Sequence, residues 1–169
     1  MRTDKECNHD ILNAIIQIEM PKIFEQLDKT MGEIKVNIEL ENYAERYFFL
    51  QKNLNEHQIR KHSMEALVDT GAVMLMLPQD VTEKLGLQFI RKAIVTYADE
   101  RKDERSVVGP VSVKIGDRFM STECIVGPPS SEALVGQIIL EALDLILDPQ
   151  NKSIHPRPES PIYPMVKVK

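Results

Sequence analysis

Cysteine is scarce in this sequence of 169 residues: Cys7 and Cys124 are the two present. Two thiols cannot build a disulfide framework, and so low a usage reads as an intracellular chain. Aromatic residues make up 5%, and 26 acidic side chains against 21 basic ones give a formal net charge of −5. A nucleic-acid backbone attracts basic surfaces, so no nucleic-acid partner is expected. No apolar run approaches the roughly 20 residues needed to cross a bilayer, which excludes a transmembrane helix and leaves no expected membrane partner. Met1–Asp10 is polar and charged, without the apolar core of a signal peptide, and the expected location is cytoplasmic. Phosphate-cradling glycine loops and Gly-x-Ser-x-Gly are absent, and His57 and His62 lack the spacing of a zinc-protease helix. Cys7 and His9 read as part of a polar terminus rather than as a metal site. The rest is ordinary globular composition, long enough for one domain with an extension.

The period of the apolar residues divides the chain. Ile11, Leu12, Ile15, Ile16, Met20, Ile23, Phe24 and Leu27 recur at spacings of three and four, which predicts a helical extension over residues 1–30, kinked or broken at Pro21. From Ile34 the period becomes two. Ile34, Val36, Ile38 and Leu40 alternate with polar residues, as in a half-buried strand. Residues 42–62 show no clear period, although Tyr43, Tyr47, Phe48, Phe49, Leu50 and Leu54 are apolar enough to pack. Short strands are expected at 64–68, 73–77, 93–97, 107–115, 119–126 and 145–147. Gln79–Leu85 reads as a two-turn helix ended by Gly86, and Gln137–Leu143 as a second helix. Gly116-Asp117 suits a tight hairpin turn. Cys124 falls in a strand and reads as a small core residue. The charges of Asp99–Arg105 are of mixed sign, as on a solvated face and not a nucleic-acid patch. The proline-rich segment Pro156–Pro164 cannot enter a sheet interior and is expected over the surface.

Ala66-Leu67-Val68-Asp69-Thr70-Gly71-Ala72 carries the chemistry. An apolar strand delivers a carboxylate to its end, a hydroxyl follows, and a glycine permits a sharp turn. Further along, Leu134-Val135-Gly136 leads into the helix beginning at Gln137. These two elements, in this order and with a hairpin between them, resemble the retropepsin-like aspartic proteases, the small single-motif relatives of pepsin. The resemblance covers about residues 31–155.

It implies a mostly β fold, a closed acid-protease half-barrel with one short C-terminal helix, as a domain over 31–157 followed by a tail over 158–169. It implies that Asp69 is the catalytic aspartate, that Thr70 bonds across a two-fold axis, and that Gly71 admits substrate backbone. Gly136 would pack where a side chain collides. Ala72, Tyr97, Ala98, Asp99, Leu134 and Val135 would line the substrate site. Thr96–Lys102 would be the lid. It lacks the usual glycine, so either Asp99 takes the left-handed position or the turn is longer and stiffer. The mechanism needs two carboxylates sharing a proton, and the chain holds one Asp-Thr-Gly, so a homodimer acting on peptide or protein substrates is expected. No metal or organic cofactor is required. The alternative is a catalytically inactive dimerisation or peptide-binding module of the same fold.

Overall fold

The computed structural model describes residues 33–97 and 99–165; the helical extension expected over 1–30, Cys7, His9 and Ala98 lie outside the described residues. The chain divides into units of residues 1–33 and 34–169, and every element below belongs to the second.

Seven strands form one sheet: β1 (Ile34–Asn42), β2 (Lys61–Val68), β3 (Leu75–Pro78), β4 (Gln88–Thr96), β5 (Lys102–Ile115), β6 (Arg118–Gly127) and β7 (Ala133–Val135). Their order is β1-β2-β7-β3-β6-β5-β4. Because β1 also pairs with β5, from Glu39–Lys114 to Asn42–Val111, the sheet closes into a barrel that leaves β4 outside. The mostly β, retropepsin-like barrel expected from the sequence is what the chain forms. Helices α1 (Tyr43–Leu50) and α2 (Gln79–Lys84) interrupt the strands, and the short α3 (Gln137–Ala142) follows β7. A hairpin of β8 (Leu145–Asp148) and β9 (Ser153–Pro156) comes last.

Period-two alternation builds the barrel. In β1, Ile34, Ile38 and Leu40 are buried while Lys35, Asn37 and Glu39 are exposed. They join Leu75, Leu77, Val111, Val113, Cys124 and Val135 in one core. Each large aliphatic side chain buried this way contributes about 1.5–3 kcal/mol. Burial pushes the Cys124 thiol up to about 12, which makes it an unreactive core group. Gly116 turns β5 into β6 at φ +58°, and Gly86 ends α2 at φ +60°.

Several elements depart from the sequence expectation. Residues 43–50 form a helix that leaves much of its apolar surface outside the core: Tyr47, Phe48 and Leu50 are more than half exposed. The helix is held by its cap instead. Buried Asn42 accepts the Glu45 N–H through Oδ1 at 3.1 Å and donates from Nδ2 to the Leu85 carbonyl at 2.9 Å. Ion pairs of Glu45 with Arg60 and of Glu41 with Arg46 add to it. Strand β2 begins at Lys61, in residues that read as polar loop, because pairing with Glu41 and its neighbours in β1 supplies the backbone bonds.

The proline-rich segment is not wholly superficial. Ser160 is buried, donates its hydroxyl to Asp144, and accepts from Arg118 through its carbonyl. Buried Arg118 also donates to the carbonyls of Leu143 and Asp144 at 2.6 and 2.8 Å. Arg157 donates to the Asp144 carboxylate at 2.9 Å, and the Met165 N–H at 3.2 Å.

Candidate active site

The end of β2 is where the two motifs meet. β7 runs parallel to β2, pairing Ala66 with Ala133, Leu67 with Leu134 and Val68 with Val135. On its other side β7 meets β3 antiparallel, at Met76–Leu134. A three-residue strand thus fills the gap between the strand that enters the Asp-Thr-Gly loop and the strand that leaves it.

Backbone hydrogen bonds fix Asp69. Its N–H donates to the Val135 carbonyl at 3.1 Å, and its carbonyl accepts the Ala72 N–H at 3.1 Å. The Gly71 N–H donates to its carboxylate Oδ1 at 2.9 Å, which orients the acid through a charge-assisted bond. Asp69 is half-buried; Thr70 and Gly71 are exposed. A β-carbon on Gly71 would sit 3.2 Å from the Asp69 Oδ1, crowding that oxygen.

The loop is braced from the far side by the start of α3. The Gln137 N–H donates to the Ala72 carbonyl at 2.8 Å, and the Ile138 N–H to the Val73 carbonyl at 3.1 Å. Gly136 makes this approach possible, since a β-carbon there would lie 2.5 Å from the Met74 carbonyl oxygen and 2.8 Å from that of Ala72. The collision that the family resemblance implied for this glycine has a definite object, the backbone of residues 72–74.

Among the residues expected to meet substrate, Ala72 and Leu134 are half-buried beside this loop. Val135 is fully buried in the barrel. Its side chain supports the core and its carbonyl accepts the Asp69 N–H. Thr70 has no hydrogen-bond partner for its hydroxyl among the described residues. It lines a cavity of about 740 Å³ with Gln137, Leu140 and Leu147, on the side of α3 and the last hairpin. A separate cavity of about 590 Å³, between α1, β1 and β5, contains none of the expected site residues.

Tyr97 and Asp99 belong to the β4–β5 hairpin and find their partners within it. The Tyr97 N–H donates to the Arg101 carbonyl, and the Glu100 N–H to the Tyr97 carbonyl, both at 2.9 Å. The left-handed residue of the turn is Glu100, at φ +63°, and not Asp99. Asp99 instead caps the turn, its carboxylate accepting from the Arg101 N–H at 3.2 Å and from Arg101 Nε at 2.5 Å. That side-chain anchor replaces the missing glycine as the reason the hairpin reverses here.

Sequence reading placed Arg105 on a solvated face with its charged neighbours. In the structure residues 99–104 are exposed but Arg105 is half-buried, donating to the Tyr97 hydroxyl at 3.2 Å and pairing with Asp103 at 2.8 Å. Its cross-strand partner is Ala93, so strand alternation, rather than composition, turns it inward. The signal was the two-residue spacing from buried Val107.

Among the described residues, no three His, Cys, Asp or Glu side chains gather as a metal site, and no helix is long and apolar enough to cross a membrane.

A closed, mostly β barrel with Asp69-Thr70-Gly71 on a braced loop and one short helix after β7 has the layout of the retropepsin-like aspartyl proteases. The chain belongs to that group: residues 55–142 match the family described as gag-polyprotein putative aspartyl protease. The match contains Asp69–Gly71, the β4–β5 hairpin and Leu134–Gly136. Comparison with curated proteins gives no match.

Proposed function

We propose that the protein is an aspartic endopeptidase that works as a homodimer in the cytoplasm, each copy contributing Asp69. The observation that carries this reading is the Asp69 carboxylate, held by the Gly71 N–H at 2.9 Å on a loop tied to Val135. A scaffold has no use for an ionisable group fixed at the open end of its barrel. One chain supplies one such carboxylate, and the sequence contains no second Asp-Thr-Gly. A C2 pair brings two together. Thr70, whose hydroxyl has no partner among the described residues and which borders a cavity beside α3, would then find its acceptor in the second copy.

Two carboxylates within hydrogen-bond reach cannot both ionise cheaply, so the pair retains one proton over a range of pH. The ionised member takes a proton from a water. The water oxygen bonds to the scissile carbonyl carbon while the protonated member gives its proton to the carbonyl oxygen. The tetrahedral intermediate then collapses and the C–N bond breaks. The departing nitrogen takes the proton that the first carboxylate received from water, and one hydroxyl of the intermediate returns a proton to the second. The substrate lies extended against the β4–β5 hairpin, bonding through its backbone as an added strand does. Ala72 and Leu134 border the site from the barrel, and Tyr97 and Asp99 from the hairpin. The reaction draws on no metal or organic cofactor.

The test is incubation of the protein and of Asp69→Asn with a mixed peptide pool between acid and neutral pH, with products read by mass spectrometry. Cleavage should appear with the first and vanish with the second. Equal cleavage by both overturns the mechanism. A folded dimer that binds peptides and cleaves none makes the protein a binding module.

A further inference from the structure

The β4–β5 hairpin bears a feature that hydrolysis itself does not need. A cavity of about 430 Å³ opens between its tip and Pro128, bounded by Tyr97, Arg101, Lys102, Asp103 and Arg105. Pro128 begins the loop that leads into β7, and β7 lies beside the strand bearing Asp69. Of the four charged residues around this cavity, three are cations. Asp103 pairs with Arg105, and Asp99 outside the lining pairs with Arg101. Lys102 has no ionic partner among the described residues, and among the lining residues positive charge is in excess.

Arg105 is the informative member. One of its terminal nitrogens serves both Asp103 and the Tyr97 hydroxyl. Its Nε is buried and has no acceptor. A buried donor left without an acceptor is costly, and it is an exception in folded proteins that calls for an explanation. Strand pairing puts Arg105 opposite Ala93, on the face shared with half-buried Val95 and Tyr97, while Ile94 and Thr96 on the other face are exposed. The guanidinium is therefore turned to the more enclosed side of the hairpin. A carboxylate entering the cavity would pair with the half-buried Arg105 guanidinium and offset the cationic lining. A neutral amide could accept a hydrogen bond but not offset the charge, and a lysine could do neither.

We propose that this cavity is a substrate subsite selective for an acidic side chain, with Arg105 as its specificity-determining residue and Lys102 adding charge. The inference rests on the proteolytic reading above, and names the class of peptide it acts on: extended segments with a glutamate or aspartate at one fixed position.

The probe is a set of end-blocked peptide mixtures, each with Glu, Gln, Leu or Lys fixed at one position. Cleavage by the wild-type protein gives kcat/KM for each mixture, and equilibrium binding to Asp69→Asn gives affinity without turnover. At one position Glu should exceed Gln by about tenfold, the scale of a charge-assisted contact in a partly enclosed site. That ratio should fall to near one in Arg105→Met and be partly retained in Arg105→Lys, which keeps the charge and controls for folding. Glu and Gln indistinguishable at every position, or a preference that survives in Arg105→Met, overturns the proposal. If the wild type cleaves nothing, the binding ratio still decides: an Arg105-dependent preference upholds the subsite while the proteolytic reading falls, and no preference ends it.

Discussion

The Gln137 amide donates to the Ala72 carbonyl at 2.8 Å, and through that bond the first turn of α3 holds the loop that carries Asp69. The bond is available because nothing projects from Gly136. Loop, glycine and helix therefore act as one mechanical unit.

Gly136→Ala tests that unit. Its new methyl group would meet backbone atoms, which cannot rotate away as a side chain can, so the loop must shift. We expect a loss of about 1–3 kcal/mol in urea unfolding, the usual cost of overpacking. Peptide cleavage by the folded protein should fall more than stability alone explains, because the Asp69 carboxylate moves with the loop. Wild-type stability in the variant would mean that the approach of residues 72–74 is not fixed.

Dilution addresses the two-fold site. If each copy lends one aspartate, activity per chain falls as the protein is diluted below its dimer dissociation constant, in step with the dimer fraction seen by sedimentation. Thr70→Val, which deletes the hydroxyl expected to bond across the axis, should move that fall to higher concentration. Constant activity per chain from a sedimenting monomer would refute the shared site.

Acid should loosen the C-terminal segment. The Ser160 hydroxyl, then Arg157, then the Met165 N–H hold the Asp144 carboxyl below its ordinary 3.8, at about 2. A carboxyl lowered in the folded state contributes stability that is full above its unfolded value and lost as pH falls through its folded value. Asp144→Asn should therefore be less stable than wild type at neutral pH, with the gap narrowing between pH 3.8 and about 2. Thermal unfolding across that range measures it, and a gap independent of pH would assign the loss to packing rather than charge.

The parts legible in the sequence were those written in a local code. Alternation in Ile34–Leu40 announced a half-buried strand, Gly86 and Gly116 marked reversals, and Asp69–Gly71 with Leu134–Gly136 marked the fold. What escaped depends on partners distant in the chain. Tyr43–Leu50 showed no apolar stripe because its helix rests on the Asn42 cap and ion pairs, with Tyr47 and Phe48 outward. Gln88–Lys92 gave no strand signal because both faces of that stretch of β4 are exposed. Arg105 looked solvated because its neighbours are, and only the hairpin register reveals which way it points. Ser160 was hidden by the prolines around it, its burial decided by Asp144 and Arg118.

The late position of β7 has a consequence for the life of the chain before it is finished. Synthesis delivers the Asp-Thr-Gly loop early, yet the strand that fills the gap beside it comes only at residues 133–135, after the hairpin and β6. Pairings so distant in sequence form late, because the intervening chain must first be closed into a loop. A nascent or truncated chain ending before Gly136 thus carries the aspartate without its anchorage. If the protein cleaves peptides as proposed, that capacity comes only once the barrel is closed, and an unfinished copy lacks it.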